Sequence, residues 1–143
     1  MAYDVKQLLK KSQADLDKLF KESPPGEIPN GEAKGTAIIA PGTEFSPDIA
    51  AFISHFAWQG KIFDAKSGTL RNHITPFGLT AILAKVSQSK SLLDKKPCIL
   101  IDYSQTSAVA HWVRDEIRQI APKTFLGVVY WDNKKLINFA LQF

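Results

Sequence analysis

Apolar and polar residues alternate along the segment from Phe56 to Phe63, which favours a β-strand. In strand geometry Trp58 and Ile62 share one face, whereas Lys61 and Phe63 share the other. Both faces therefore carry apolar bulk. A strand of this kind suits a barrel with a lined interior, or a sheet that is covered on both sides.

Other segments also have strand-like patterns. The segment 31–39 alternates small residues with polar ones, so either a bulky group approaches its slim inner face or its glycines mark bends. Gly127, between two apolar residues, likewise indicates a close approach or a bend. Further strands are predicted at 69–74, 79–86, 98–103, 125–131 and 136–143, with a polar loop over 87–97 and a hairpin turn over 132–135.

Helical spacing of apolar residues predicts three helices. The first covers 3–21, begins at an Asp4 N-cap, and ends before the Ser23-Pro24-Pro25-Gly26 stop. We expect it to pack on the core through Val5, Leu8, Leu9, Leu16, Leu19 and Phe20. The second lies near 47–55, and the third covers 107–121 and ends before Pro122. The predicted fold class is therefore α+β and mainly antiparallel β, with a small barrel over 31–143.

Composition places the chain among ordinary globular proteins. With 143 residues, 45% hydrophobic and 22% charged, it is long enough for one domain with one core. The lone Cys98 has no partner for an internal disulfide, the amino terminus lacks a signal-peptide core, and no apolar run is long enough to span a membrane. We expect a cytoplasmic protein. The net charge is +4, but the lysines are dispersed among acidic residues, so we expect no nucleic-acid partner.

Known catalytic and metal-binding motifs do not occur in the chain. There is no nucleophile elbow, Walker loop or dinucleotide fingerprint, and we expect no cofactor. His55, His73 and His111 have no metal-ligand spacing with one another or with Cys98, so we expect no metal site. On the predicted third helix His111 and Asp115 are one turn apart, which indicates a surface hydrogen bond or an imidazole oriented for base chemistry.

Three cationic side chains on the predicted strands are open to two interpretations. Arg71 and His73 share one face of their strand. If that face looks inward, the guanidinium needs a carboxylate of the protein or of a ligand, because a buried unpaired charge is costly. If it looks outward, both side chains are solvated. Lys61 allows the same two interpretations.

Several short runs resemble a known family. Trp58-Gln59-Gly60-Lys61-Ile62-Phe63, the spaced Gly31-x-Ala33-x-Gly35 and Leu126-Gly127-Val128 are similar to segments of the Gly-x-Trp-x-Gly family of small bacterial proteins with a lipocalin-like barrel. Ala33 stands where that family has Trp, which widens the space that the Trp would fill. The resemblance implies a barrel with a cavity for an apolar or amphipathic molecule, and it carries over no established activity.

Three functional hypotheses follow. The first is a binding protein for a small apolar or amphipathic molecule that can carry an acidic end. Its ligand-binding residues would be Trp58, Lys61, Phe63, Arg71, His73, Tyr103 and Tyr130, with Val128 as a further lining residue. The second is an enzyme in the same cavity, with His73 or His111 as proton carrier and Tyr103 or Asp102 as its partner. The third is a homodimeric interaction module whose contact surface contains Trp131, Phe139 and Phe143.

Overall fold

Eight antiparallel strands form a closed barrel in which each strand pairs with the next and the first pairs with the last. The computed structural model describes residues 5–39, 58–74, 79–104 and 113–143, with the backbone alone at 58–60, 72–74 and 79–83. The strands are β1 (Gly31–Ile38), β2 (Trp58–Asp64), β3 (Thr69–Ile74), β4 (Leu79–Lys90), β5 (Pro97–Asp102), β6 (Val113–Ala121), β7 (Thr124–Trp131) and β8 (Lys134–Gln142). The prediction of a small, mainly antiparallel barrel is confirmed.

Small residues on the inner face of β1 leave room for large side chains from its neighbours. Ala33 is buried opposite Lys61 of β2, and Ala37 pairs with Phe139 of β8. The Phe139 ring also lies over Gly127, where an added methyl group would overlap it. The close approach predicted at Gly127 is therefore present, and the group that approaches is Phe139, whereas a methyl group added at Gly31 of β1 would meet no described atom within 4 Å.

Two short helices replace the single helix predicted over 3–21. They are α1 (Val5–Leu9) and α2 (Gln13–Glu22). The chain breaks between them because the Ser12 hydroxyl caps α2, accepting a hydrogen bond of 3.1 Å from the backbone N–H of Asp15. Among the described residues, no helix is long and apolar enough to cross a bilayer.

The helices pack on the outside of the barrel, as predicted. Leu8, Leu16 and Phe20 are fully buried there, whereas Leu9, also expected to face the core, is 42% exposed. Their partners are apolar residues that point outward from the barrel: Ile38, Cys98, Leu126, Val128, Tyr130 and Ala140. The sheet is thus covered on both sides in this region, by the interior core on one face and by the helices on the other.

The prediction of a third helix over 107–121 is wrong for the residues that the structure describes. From Val113 to Ala121 the chain is strand β6, because pairing with both β5 and β7 satisfies its backbone hydrogen bonds. Residues 107–112 and the helix predicted near 47–55 lie outside the described residues.

The β4–β5 loop and the β7–β8 turn are the two predicted connections described next to the strands. The loop expected over 87–97 is shorter, since β4 continues to Lys90 and pairs there with Pro97. The hairpin turn between β7 and β8 is confirmed. Asp132 and Asn133 occupy it with φ of 50° and 65°, the left-handed conformation that a tight two-residue hairpin requires.

Candidate functional site: a buried lysine, tyrosine and aspartate

Three polar side chains from separate strands meet inside the barrel. Lys61 comes from β2, Asp115 from β6, and Tyr103 directly follows β5. Each points inward because its neighbours two residues away do so: Phe63 beside Lys61, Ile101 beside Tyr103, and Val113 and Ile117 on either side of Asp115. Lys61 and Asp115 are fully buried, and Tyr103 is 3% exposed.

The three groups form a short hydrogen-bonded chain. Lys61 Nζ donates to Tyr103 Oη at 2.9 Å, and Tyr103 Oη lies 3.5 Å from Asp115 Oδ2. Lys61 Nζ is also 3.5 Å from the same carboxylate oxygen. The second oxygen, Asp115 Oδ1, is buried with no hydrogen-bond partner among the described residues. An ammonium, a phenol and a carboxylate thus share one site, and the carboxylate retains an open acceptor position.

Aromatic rings surround the ammonium group. Lys61 Nζ lies 5.6 Å from the centroid of the Tyr103 ring and 5.7 Å from that of Phe139. At these distances the electron-rich ring faces attract the cation and replace part of its lost hydration. The site thus combines localised charge with aromatic rings.

Burial shifts both ionisable groups of the site towards their neutral forms. Desolvation lowers the pKa of Lys61 to about 8, and the attraction of Asp115 opposes this only in part. Desolvation likewise raises the pKa of Asp115 to about 6, against the opposing effects of Lys61 and the Tyr103 hydrogen bond. Near neutral pH both groups are therefore within reach of a change in protonation.

The structure separates the residues predicted from sequence to bind a ligand. Lys61, Phe63 and Tyr103 lie inside the barrel, and Lys61 and Tyr103 are in contact. Phe63 is directed towards Phe143, with ring centroids 5.5 Å apart. For Trp58 and His73 the structure describes only the backbone, in β2 and β3.

Two of the predicted ligand residues do not belong to the interior. Arg71 is exposed, so its strand face is the solvated one and the guanidinium needs no buried carboxylate. Tyr130 and the proposed lining residue Val128 point outward, beneath the helices. The sequence pattern missed this because β7 is apolar on both faces, so alternation alone did not identify the inward one.

The structure also bears on the enzyme and homodimer hypotheses. Asp102, one of the two residues expected to partner a histidine, accepts a hydrogen bond of 2.9 Å from the backbone N–H of Ser104. His111 lies outside the described residues. Phe139 cannot contribute to a dimer surface because it is fully buried inside the barrel, and Trp131 and Phe143 are partly buried against the same core.

A second buried charged cluster lies on the outer face of the barrel, under the helices. Arg118 donates two hydrogen bonds of 2.7 Å to the carboxylate of Asp94. It also donates to the backbone carbonyls of Phe20, Lys96 and Pro97 at 2.9 to 3.1 Å. The guanidinium stacks on the Phe20 ring, 4.5 Å from its centroid. All five guanidinium N–H donors are therefore engaged, and the group ties α2 and the β4–β5 loop to β6.

A shallow groove of about 450 Å³ lies at the end of the barrel where β1 begins and β8 ends. Phe125 and Phe143 contribute apolar surface to the groove, and Glu27 and Lys123 contribute charged groups. Tyr103 and Asp115 belong to the opposite end, where β5 ends and β6 begins. Of the residues predicted to bind a ligand, none whose side chain the structure describes lines this groove.

The chain is thus an eight-stranded antiparallel barrel with a buried ionisable site. A crystal structure of a protein from Thermomonospora curvata is similar to it, with a TM-score of 0.64 and 15% sequence identity over 93% of this chain and 88% of that one. At this identity the likeness shows a shared fold alone. No model of a known protein family matches the chain, and no curated protein does.

Proposed function

We propose that this protein binds a small amphipathic molecule inside the barrel, with the polar end of the molecule at Lys61, Tyr103 and Asp115. The observation that carries the proposal is the buried ion pair with an open acceptor on Asp115 Oδ1. The apolar residues that line the barrel would contact the rest of the molecule.

The energetics of the pair support a functional role. Removing two charges from water costs several kcal/mol per ion, and a contact of 3.5 Å with one oxygen left over recovers this incompletely. A pair retained for stability alone would have better geometry, as Arg118 and Asp94 do. Groups with strongly shifted pKa values in a secluded setting are common at functional sites.

The chemistry of the three groups defines the polar end of the ligand. The Lys61 ammonium and the Tyr103 hydroxyl suit an oxygen that accepts hydrogen bonds, as in a carboxylate or a carbonyl. Asp115 Oδ1 suits a hydrogen-bond donor such as a hydroxyl group. Because Arg71 is exposed, we assign to Lys61 the acid-binding role that the sequence suggested for Arg71.

Titration with decanoate and decanol, followed by calorimetry and native mass spectrometry, tests the proposal. We expect Lys61→Met to weaken decanoate binding by roughly tenfold or more, since a charge-assisted hydrogen bond is lost, and to change decanol binding much less. Arg71→Met is the matched control and should leave both affinities unchanged. Wild-type protein that binds neither compound, or an Arg71→Met effect as large as that of Lys61→Met, would contradict the proposed site.

The inner face of β1 provides an independent test. Ala33 is buried next to Lys61 in the barrel register, so Ala33→Trp places an indole in the space that the ligand is proposed to occupy. We expect the affinity for decanoate and decanol to fall together, because the lost contact is one of shape. Unchanged affinities in a folded variant would place the ligand elsewhere.

The up-and-down order of the eight strands supports the finer part of the proposal, that the barrel is lipocalin-like. We also propose that the protein is related to the Gly-x-Trp-x-Gly family, because residues 58–63 and 31–35 resemble segments of that family. The buried Cys98, whose thiol pKa is raised to about 12 by burial, is an inert packing group and suits the proposed cytoplasmic location.

A second candidate function is proton transfer in the same site. The adjacent Lys61 and Asp115, with pKa values displaced in opposite directions, have the properties of a general acid and base. NMR of 2-decanone in deuterated buffer tests this: an enzyme would exchange the hydrogens beside the carbonyl, and Asp115→Asn would abolish the exchange. Binding without exchange would mean that the site binds its ligand without catalysing proton transfer.

A further inference from the structure

We propose that Lys61 forms a reversible imine with an aldehyde or ketone carried by the amphipathic ligand, an inference that rests on the proposed binding function. Lys61 is the amine that the barrel places within its own interior, whereas the neighbouring Lys34 of β1 is exposed. A covalent bond to Lys61 would therefore select molecules that have both a carbonyl group and an apolar chain.

The arrangement supplies the partners that imine formation needs. Tyr103 Oη, 2.9 Å from Lys61 Nζ, is placed to hydrogen-bond a carbonyl oxygen as its carbon approaches the nitrogen. Asp115 Oδ2, 3.5 Å from Nζ, is placed to accept a proton from the nitrogen. Its open Oδ1 can accept a hydrogen bond from the new hydroxyl group.

The reaction proceeds in two balanced steps. In the first, the lone pair of neutral Lys61 Nζ forms a bond to the carbonyl carbon, and the π electrons move to oxygen. The oxygen takes a proton from Tyr103 while the nitrogen gives one to Asp115, and exchange between these two groups restores both. In the second, the carbinolamine hydroxyl takes a proton from Tyr103 and leaves as water while the nitrogen lone pair forms the C=N bond, and the iminium nitrogen then gives its N–H proton to the tyrosinate, which restores Tyr103. The net change is amine plus carbonyl to imine plus water.

Burial also prepares the amine for attack. At pH 7 a lysine with a pKa of about 8 is neutral in about one molecule in ten, against roughly one in three thousand at the ordinary value of 10.5. Once the imine forms and is protonated, it occupies the place of the ammonium and keeps Asp115 as its counter-ion. Among the described residues Tyr103 and Asp115 are the titratable groups that face Lys61, and they serve both the free and the bound state.

Reductive trapping tests the inference. The full-length protein is incubated with decanal and sodium cyanoborohydride, which reduces an imine to a stable amine, and the product is located by intact mass and peptide mapping. We expect one adduct, at Lys61, whose rate of formation rises with pH with a midpoint near 8. Lys34→Met should leave this adduct intact, and Lys61→Met should remove it.

Further controls separate folding and binding from the covalent step. Lys61→Arg keeps the positive charge but cannot form an imine, so loss of the adduct in this folded variant confirms that the amine is required. Adducts spread over surface lysines while wild-type protein binds decanol and decanoate normally would overturn the imine and leave the binding function. Absence of both the adduct and all binding would overturn the two together.

Discussion

Strand β6 carries buried charges on both of its faces, and the two faces treat those charges differently. Towards the helices, Arg118 uses every donor on Asp94 and on backbone carbonyls. Towards the interior, Asp115 meets Lys61 and Tyr103 at 3.5 Å through one oxygen and leaves the other open. One face of β6 thus carries a charge whose hydrogen-bonding capacity is fully used, and the other face carries a charge that keeps an open acceptor.

The difference separates a structural charge from a reactive one. A fully hydrogen-bonded guanidinium has no remaining capacity for a ligand, and its role is to join elements that would otherwise only touch. An incompletely paired carboxylate and ammonium keep both the capacity to bind and a cost in stability. We therefore expect the outer cluster to govern the stability of the fold and the interior cluster to govern binding.

The largest effect should follow from breaking the outer cluster. Arg118→Met removes the guanidinium donors from the Asp94 carboxylate and from three backbone carbonyls, and we expect a loss of about 3 to 5 kcal/mol in the free energy of unfolding. Urea denaturation measures it. The exposed Arg71→Met is the control and should change stability by less than about 0.5 kcal/mol. Equal effects of the two would erase the distinction between the clusters.

Replacing the interior pair should change the free energy of unfolding in the opposite direction. In the double variant Lys61→Met/Asp115→Leu, both buried charges give way to apolar groups of similar size, and we expect unchanged stability or a gain of about 1 to 4 kcal/mol. The same denaturation experiment measures it, and decanoate binding should be lost. A loss of stability comparable to that of Arg118→Met would show the interior pair to be structural.

Gly127→Ala tests how tightly the interior site is packed. The added methyl group meets the Phe139 ring, so the ring must shift, and its contact with the Lys61 ammonium must change with it. We expect a loss of about 1 to 3 kcal/mol from overpacking, together with weaker decanoate binding. Calorimetry and urea denaturation measure both quantities. Loss of stability with unchanged affinity would show that Phe139 does not contact the ligand.

The pH dependence of stability should differ in direction between the clusters. The pKa of Lys61 is about 8 when folded and ordinarily 10.5, so between these values only the unfolded chain is protonated and stability rises with pH. The pKa of Asp115, raised to about 6, makes stability rise as pH falls from 6 to 4. The pKa of Asp94, lowered to about 2, makes stability fall as pH drops from 4 towards 2.

Denaturation across this pH range isolates each contribution. Relative to Lys61→Met/Asp115→Leu, the wild-type protein should be least stable between about pH 6 and 8. Relative to Asp94→Asn, it should lose its advantage below about pH 4. Parallel pH profiles for wild type and the interior double variant would mean that the buried pair does not titrate differently on unfolding.

The smallest effect is expected at the β7–β8 turn, which touches neither cluster. Asp132 and Asn133 are exposed at the tip of the hairpin. Inserting two glycines between them should reduce the free energy of unfolding by about 1 kcal/mol or less, because a slightly longer loop costs little entropy. Decanoate affinity should not change. A large loss would show that the turn sets the register of β7 and β8.

Much of the barrel could be predicted from sequence, because most of its strands alternate or are flanked by turn residues. The hairpin at 132–133 and the slim inner face of β1 both follow from residue type and spacing. The break between α1 and α2 also had a signal, Ser12 with an acid three residues later, but the continuous apolar spacing on both sides obscured it.

Strand β6 could not be predicted in this way, and the reason lies in the site itself. Asp115, Glu116 and Arg118 are all buried, so hydrophobic and polar positions no longer mark inside and outside. The apolar residues that remain happen to follow helical spacing. The helical pattern consequently pairs Asp115 with His111, either in a surface hydrogen bond or for base chemistry, whereas Lys61 and Tyr103 lie on segments whose strand pattern is intact and are predicted site residues.

The pairing of β1 with β8 has a consequence for how the chain folds. Successive strands can pair across short loops, but Gly35 meets Leu141, so this contact joins residues separated by almost the whole barrel. Its loop-closure entropy is the largest of any strand pairing, and a high contact order of this kind slows folding. Until it forms, β1 and β8 are two unprotected edges that can recruit other chains. Refolding yield should therefore fall as protein concentration rises, with intermolecular strand pairing competing against closure.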